Sequence, residues 1–374
     1  MSGSTPLPSV RYARSSRLIA YLAAAYLLLV LYASLYPFSG WRLPNDDATR
    51  FLFAGWPSYV VASDVVLNIL AYMPFGLLLA LVWMGRVPRW VAAVLSAAAG
   101  MLLSVSIEFA QAFLPTRISS AVDVLTNSIG MLAGAALACV FGERWLLSGE
   151  LRRLREAHYR PGARTDIAFL LLALWLLTQL NAEIWLFGNG DLRHLIPANF
   201  AVRYAADAYL LLEAGVAALN FAGVAFLTGA IARSFAAAAV SVAVLSGIAL
   251  MLKTIASVAL FVPGNPGLWL TPGSALGLVA GVALWLPLAR ISPARSMGAA
   301  VICFAAGLLL VNLAPENPYL VAALQVLQRG QFLPFNAMTG LLSSCWPFLA
   351  FAFFIYAMRG GSDIAQQSGR PGKQ

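Results

Sequence analysis

LIAYLAAAYLLLVLYASLY, residues 18–36, runs for 19 positions without a charged side chain. A helix of about 20 apolar residues is what the hydrocarbon core of a bilayer demands. The run is longer than the apolar region of a secretory signal and ends in YPF with no small-residue cleavage motif, so it is expected to stay in the protein as a helix. Similar runs follow at 59–83, 90–114, 121–141, 167–187, 204–231, 235–262, 268–288, 297–313 and 335–358, the ninth of the set being the shortest. With 374 residues, 61% hydrophobic and only 10% charged, the chain has the composition of a polytopic membrane protein. The expected fold class is all-α: a polytopic helical membrane protein of about ten transmembrane helices.

A net charge of +9 suggests nucleic acid until the cations are placed. With the N-terminus in the cytoplasm, 17 of the 24 Lys and Arg fall on the cytoplasmic side, six fall outside, and Lys253 lies within a helix. Every predicted cytoplasmic loop carries at least one cation, which puts both termini in the cytoplasm. The basicity therefore reports topology and contact with anionic lipid, and no nucleic-acid partner is expected. Cys139, Cys303 and Cys345 lie within predicted spans, and His158 and His194 on opposite sides of the membrane, so neither a disulfide framework nor a histidine metal site is expected. No cofactor is expected.

The connector GERWLLSGELRRLREAHYRPGART (142–165) divides the chain. The expected organisation is a cytoplasmic tail (1–17), a four-helix membrane domain (18–142), a basic cytoplasmic linker (143–166), a six-helix membrane domain (167–358) and a second tail (359–374). RRLREAH has helical spacing; it reads either as a surface helix facing lipid phosphates or as a basic loop that fixes topology. A faint echo joins the halves: NSIGMLAG (127–134) resembles SALGLVAG (274–281), matching Gly130 to Gly277 and Gly134 to Gly281, and LNIL (67–70) resembles LNFA (219–222). The second copy lacks most of the polar residues of the first, since Asp123 matches Leu270 and Glu108 matches Ile255.

Those polar residues are costly where they stand. Asp64 and Asn68, four apart, share a face at the start of the second span; Ser104, Glu108 and Gln111 share a face at the end of the third; Asp123 and Asn127, again four apart, share a face at the start of the fourth. Arg117 lies in the short loop PTRISS between the last two. All converge at one end of the bundle, expected to be the outer leaflet. A lone carboxylate well inside a span costs about 2.5–3.5 kcal/mol, so Glu108 must be protonated, paired or wetted, and Arg117 is its expected partner. Gly130 and Gly134 form a GxxxG step for close helix approach, and Pro74 with Gly76 interrupts the ladder of the second helix. Two readings of the cluster stand side by side: a binding or catalytic pocket, and a salt-bridge clasp of Glu108, Arg117 and Asp123 holding two helices together.

The pattern N-x-L-x-Y-x-P-x-G (Asn68, Leu70, Tyr72, Pro74, Gly76), then E-x-x-Q (Glu108, Gln111), then R-x5-D-x3-N-x2-G-x3-G (Arg117, Asp123, Asn127, Gly130, Gly134) resembles the VanZ-like family over about residues 18–142. LPFNAMTGLLSSCWPFLAF further resembles the C-terminal part of its longer members. That family takes its name from a protein associated with low-level teicoplanin resistance and has no settled biochemical activity. The resemblance thus implies a bacterial cytoplasmic (inner) membrane protein tied to the envelope and no particular reaction. Many members carry an acid three residues after the Arg, where this chain has Ser120, which weakens any two-acid proton chemistry.

Glu213 and Lys253 each lie 20 positions from Arg233, the expected turn between the sixth and seventh spans, and are predicted to meet as a buried ion pair. EIWLFGNGDLRH (183–194) reads as a re-entrant turn with Glu183 and Arg193 near headgroups, NPGLWLTPG (265–273) as a plain turn, and QRGQFLPFN (328–336) as an amphipathic cap.

Three functions follow. The first is recognition of a polar lipid, lipid-linked glycan or lipoglycopeptide headgroup by Asp64, Asn68, Glu108, Gln111, Arg117, Asp123 and Asn127, with a link to glycopeptide resistance or envelope polysaccharide. The second is an intramembrane enzyme using Glu108 and Asp123 as acid and base on a lipid-linked substrate, although no activated nucleophile, metal cluster or phosphate loop accompanies them. The third is a transporter gated by Glu213 and Lys253. The expected partner is membrane lipid or lipid-linked glycan.

Overall fold

A computed structural model describes residues 16–44, 47–53, 59–147, 150–181, 183–193, 205–260, 266–267, 269–315 and 333–368. Among the described residues the chain is helical and forms no strand: α1 Ser16–Leu35, α2 Ala62–Met84, α3 Arg89–Gln111, α4 Ala121–Leu137 continuing into a π-helical stretch Ala138–Leu147, α5 Glu150–His158, α6 Ala163–Thr178, α7 Ala206–Ile231, α8 Phe235–Leu260, α9 Pro272–Trp285, α10 Pro293–Leu313 and α11 Leu333–Ser368. Among the described residues eight helices are long and apolar enough to cross a membrane, and the protein is a multi-pass membrane protein. Two of the ten predicted spans are shorter, α6 and the α9 segment Pro272–Leu288. The chain divides into two compact units, Met1–Arg155 and Glu156–Gln374, with the boundary inside α5 and the basic connector.

In the first unit α2 packs against α1, α3 and α4. Val30 of α1, Tyr72 and Phe75 of α2, Ile107 of α3 and Met131 of α4 form one buried cluster, while Leu28, Val66, Leu70, Leu102, Leu125 and Leu132 face outward, the arrangement of a bundle solvated by acyl chains. The GxxxG step sets the closest contact. A Cβ on Gly130 would collide with the backbone of Ile69, and one on Gly134 with the backbone of Met73 and Leu77, so α2 and α4 touch main chain to main chain. Pro74 lies inside α2 without breaking it; the Tyr26 hydroxyl donates to Ala71 O at 2.7 Å, one residue past the carbonyl that loses its helical donor to the proline.

The second unit repeats this device. Gly277 and Gly281 of α9 stand against Ala214 O and Ala218 O of α7, at 2.7 and 3.0 Å from where a Cβ would be. The partners Ile69 and Met73 in one unit and Ala214 and Ala218 in the other are each 145 positions apart. That register overturns the LNIL and LNFA match and instead equates Asn68 with Glu213.

The fifth predicted span ends early. Leu180, Trp185, Leu186 and Phe187 prolong the apolar run, but the helix stops at Thr178, and the described residues 179–181 and 183–193 are irregular and largely buried. Non-helical backbone survives at such depth only when its polar groups are satisfied by protein. Here Gln179 Oε1 accepts from Phe187 N at 3.1 Å, Asn181 Oδ1 from Glu183 N at 2.8 Å, and Asn312 Oδ1 from Leu192 N at 2.8 Å, and Gly190 N donates to Ser343 O at 2.9 Å. The expected amphipathic cap at 328–336 lies mostly outside the described residues; Leu333–Asn336 open α11. His194 also lies outside them.

Candidate functional site

Four backbone features build one end of the first unit: the last turn of α1, the first turns of α2, the last turns of α3, and the loop that leads into α4. Along α3, Ser96, Gly100, Ser104, Glu108 and Gln111 form a buried stripe at spacings of three and four, one helical face. Helix α4 starts at the N-cap Ser120, whose hydroxyl accepts from Val122 N at 3.2 Å.

Glu108 stitches these elements together. Its Oε2 accepts from Ser120 N at 2.7 Å, and its carbonyl accepts from the Ser119 hydroxyl at 2.6 Å. The carboxylate thus sits at the N-terminus of α4, where unsatisfied N–H groups favour negative charge. Helix α3 ends at Gln111, three residues beyond Glu108, which places that carboxyl nearer the helix end than the apolar run to Leu114 implied.

Across the cluster, Asn68 Nδ2 donates to Asp123 Oδ1 at 2.9 Å and to Thr126 Oγ1 at 3.4 Å, joining α2 to α4. Asn127 Nδ2 donates to Ser104 Oγ at 3.0 Å, joining α4 to α3. Asp64 lies within electrostatic reach of Asp123, and Asp123 within reach of Glu108. Asp64, Asn68, Asp123 and Arg117 are half-buried, whereas Glu108, Gln111, Thr126 and Asn127 are buried. The cluster therefore has a partly open rim and a closed floor.

Two polar atoms of that floor have no hydrogen-bond partner among the described residues: the Tyr72 hydroxyl and Asn127 Oδ1. Ser34 lies near Tyr72 without completing hydrogen-bond geometry, and Glu108 and Asp123 are within electrostatic reach of the same phenol. Leaving a buried polar atom unmatched costs about 1–3 kcal/mol.

Arg117 does not pair with Glu108 or Asp123. Its Nε donates to Tyr36 O at 3.1 Å and its Nη2 to Ala33 O at 3.0 Å, while Gln111 Nε2 donates to Ser34 O at 2.8 Å. Both side chains thereby satisfy the orphan carbonyls at the C-terminus of α1, the electronegative end of that helix. Burial pulls the guanidinium below its usual affinity for protons, and the nearby Glu108 opposes that shift. The expected salt-bridge clasp is thus replaced by a helix cap, because carbonyls at a helix end compete for the same donors.

The predicted Glu213–Lys253 pair is not formed either. Lys253, buried in α8, donates to Asn181 O at 2.6 Å and also to Ile184 O, two carbonyls of the irregular segment. Glu213 turns to the start of α9, where the Thr271 hydroxyl donates to its Oε1 at 2.7 Å. Equal sequence distance from a turn does not set the direction in which either side chain points. Nearby, the half-buried Glu183 accepts from Asn336 Nδ2 at 2.7 Å, and burial raises its proton affinity above the ordinary carboxylate range despite that bond. Arg193 forms an ion pair with Asp191 at 2.5 Å and donates to Ala314 O and Pro315 O.

The expected site residues of α2, α3 and α4 are gathered at one place; Glu213 and Lys253 do not meet. Sequence reasoning passed over Tyr72, Thr126, Ser119 and Ser120 as participants, although the i, i+4 spacing of Asn68 to Tyr72 and of Val122 to Thr126 marks their faces. It also passed over the α1 carbonyls, which no side-chain letter announces. Among the described residues no three His, Cys, Asp or Glu side chains gather as a metal site.

Fold and cluster together define a multi-pass helical membrane protein with a polar, acid-rich site set into one end of a four-helix unit. That unit has a known counterpart: residues 18–142 match the family model described as VanZ/LLP1, so the chain carries a VanZ/LLP1 domain there, with additional helices after it. No curated protein and no solved structure matches the chain.

Proposed function

We propose that the VanZ/LLP1 domain binds the polar head of a lipid or lipid-linked glycan at the outer leaflet of a bacterial cytoplasmic membrane. The observation that carries this reading is the pair of unmatched buried atoms, the Tyr72 hydroxyl and Asn127 Oδ1, on the floor of a cluster whose rim is half-open. From Asp64 to Tyr72 is eight residues, from Gln111 back to Ser104 seven, and from Ser120 to Asn127 seven. At 1.5 Å per residue the three helices bring their deepest polar groups to a common level about 10–12 Å in, the depth of a headgroup drawn slightly into the acyl region.

The free capacity of the cluster is mostly that of an acceptor: Asn127 Oδ1, Asp123 Oδ2 and Glu108 Oε1 make no hydrogen bond among the described residues, whereas the Arg117 donors are largely committed to α1. Acceptors call for hydroxyl or amine donors. A hydroxyl-rich sugar or an amine-bearing head fits better than a bare phosphate, and the amino-sugar end of a lipoglycopeptide has the same chemistry, which keeps glycopeptide resistance within this reading.

The test is mass spectrometry of small molecules retained by the purified protein, for wild type, Tyr72→Phe and Asp123→Asn. Selective loss of one hydroxyl- or amine-bearing class in both variants supports the proposal. An unchanged set of retained molecules, with Tyr72→Phe as stable as wild type or more so, overturns it.

A further inference from the structure

The turn between α7 and α8 and the segment between α5 and α6 carry a second polar arrangement, within the Glu156–Gln374 unit. Among the described residues the one isolated antiparallel bridge joins Tyr159 to Ala232. Around it Arg160 N donates to Ile231 O at 2.9 Å and Arg233 N to His158 O at 2.8 Å. The two side chains then cross reciprocally: Arg160 Nε donates to Ala232 O at 3.3 Å and Arg233 Nε to Tyr159 O at 2.8 Å. Each guanidinium is pinned by its inner nitrogen, and its two terminal nitrogens have no partner among the described residues. An open groove lined by Arg160, Pro161 and Arg233 lies between them.

Exposed arginines ordinarily surrender rotamer entropy when a ligand fixes them. Here the backbone has already fixed the inner end of both, which is preorganisation for a ligand that takes paired N–H donors. Planar guanidinium forks match phosphate oxygens. The neighbours indicate the source of that phosphate. Two residues past Arg233, Phe235 stacks on Trp285 with centroids 6.3 Å apart, and Arg290 lies 4.3 Å over the Phe235 ring. Aromatic rings backed by cations are the side chains of a membrane interface, so the groove stands at headgroup level.

We propose that Arg160 and Arg233 clamp the phosphodiester of an anionic phospholipid headgroup at the cation-rich end of the second unit. The site is separate from the acid-rich cluster of the VanZ/LLP1 domain and does not depend on how that cluster functions.

Delipidated full-length protein, titrated with phosphatidylglycerol or phosphatidylcholine and followed by native mass spectrometry, tests the clamp. Phosphatidylglycerol should bind more tightly than phosphatidylcholine to wild type. Each cation near such a surface is worth about a fivefold change, so Arg160→Gln with Arg233→Gln should weaken phosphatidylglycerol about 30-fold. Arg295→Gln, on the same end but outside the groove, should change it less than twofold. The Lys double variant keeps charge without the fork and should fall between wild type and the Gln pair. Equal binding of the two lipids by wild type overturns the proposal without any variant, as does an affinity lowered equally by Arg295→Gln. Displacement of phosphatidylglycerol by millimolar inorganic phosphate overturns the lipid assignment in favour of a free-phosphate site.

Discussion

Replacing Gly134 by alanine adds one methyl group where α2 and α4 have no room for it. The new Cβ would lie 2.7 Å from Leu77 N and closer still to Met73 O, both main-chain atoms of α2. Ordinary contacts of a Cβ begin near 3.4 Å. The helices must therefore part by more than the roughly 0.7 Å shortfall at Leu77 N, because Met73 O is nearer still, along a face that also carries Gly130 and Gly76; neither obstacle is the movable end of a side chain. Overpacking of this kind costs about 1–3 kcal/mol, and rigid backbone on both sides puts Gly134→Ala at the upper end. At about 2–4 °C per kcal/mol for a unit of this size, the apparent melting temperature should fall by about 6–12 °C. Gly247→Ala is the matched control: nothing lies within 4 Å of a Cβ there, so helix propensity alone acts and stabilises by up to about 1 kcal/mol. Thermal unfolding of both variants in one detergent, followed by tryptophan fluorescence, gives the comparison. If Gly134→Ala melts no lower than Gly247→Ala, the backbone contact between α2 and α4 is not there.

Arg117→Ala should lower stability by about 1–2 kcal/mol through loss of the α1 cap, and Arg117→Lys should recover less than half of it, because one ammonium cannot serve Tyr36 O and Ala33 O as the fork does; melting temperatures of the three proteins decide. Lys253→Met strips two buried carbonyls of their donor and should cost about 3 kcal/mol, whereas combining it with Glu213→Gln should be additive within about 0.5 kcal/mol, since the two side chains share no partner. A coupling above about 1 kcal/mol in that double-mutant cycle restores the ion pair. Glu183 favours its protonated form in the folded protein, so its stabilising contribution is complete below the ordinary carboxylate range and fades as pH rises through the elevated folded value. The stability gap between wild type and Glu183→Gln should accordingly narrow or reverse from about pH 4 to pH 8, and a gap that widens in wild type's favour contradicts the burial argument.

How much of this was readable in advance follows from what a sequence encodes. Apolar runs of 17 to 28 residues announced the helices because length and hydropathy are local properties. The convergence of Asn68, Glu108, Gln111, Asp123 and Asn127 was readable for the same reason: spacing of four fixes a face and distance from a helix end fixes a level. The end of α6 was not, because Trp185, Leu186 and Phe187 are apolar both as a helix and as the buried loop they form. Nor were the partners of Arg117 and Lys253, which are backbone carbonyls and leave no letter behind. For Glu213 and Lys253 equal distance from the turn at Arg233 says nothing of azimuth, which tertiary packing sets, and the two side chains take different partners. The echo of Gly130 and Gly134 in Gly277 and Gly281 carried more than its few letters promised, since both pairs press α4-like helices onto main chain.

A structure of the protein in lipid nanodiscs, solved at a resolution that shows side chains, meets the central claim head on. The account expects non-protein density bearing polar atoms within hydrogen-bond distance of the Tyr72 hydroxyl and Asn127 Oδ1, flanked by Asp123. Acyl-chain density against those two atoms, or helices α2, α3 and α4 with their polar faces turned to different surroundings, would contradict it.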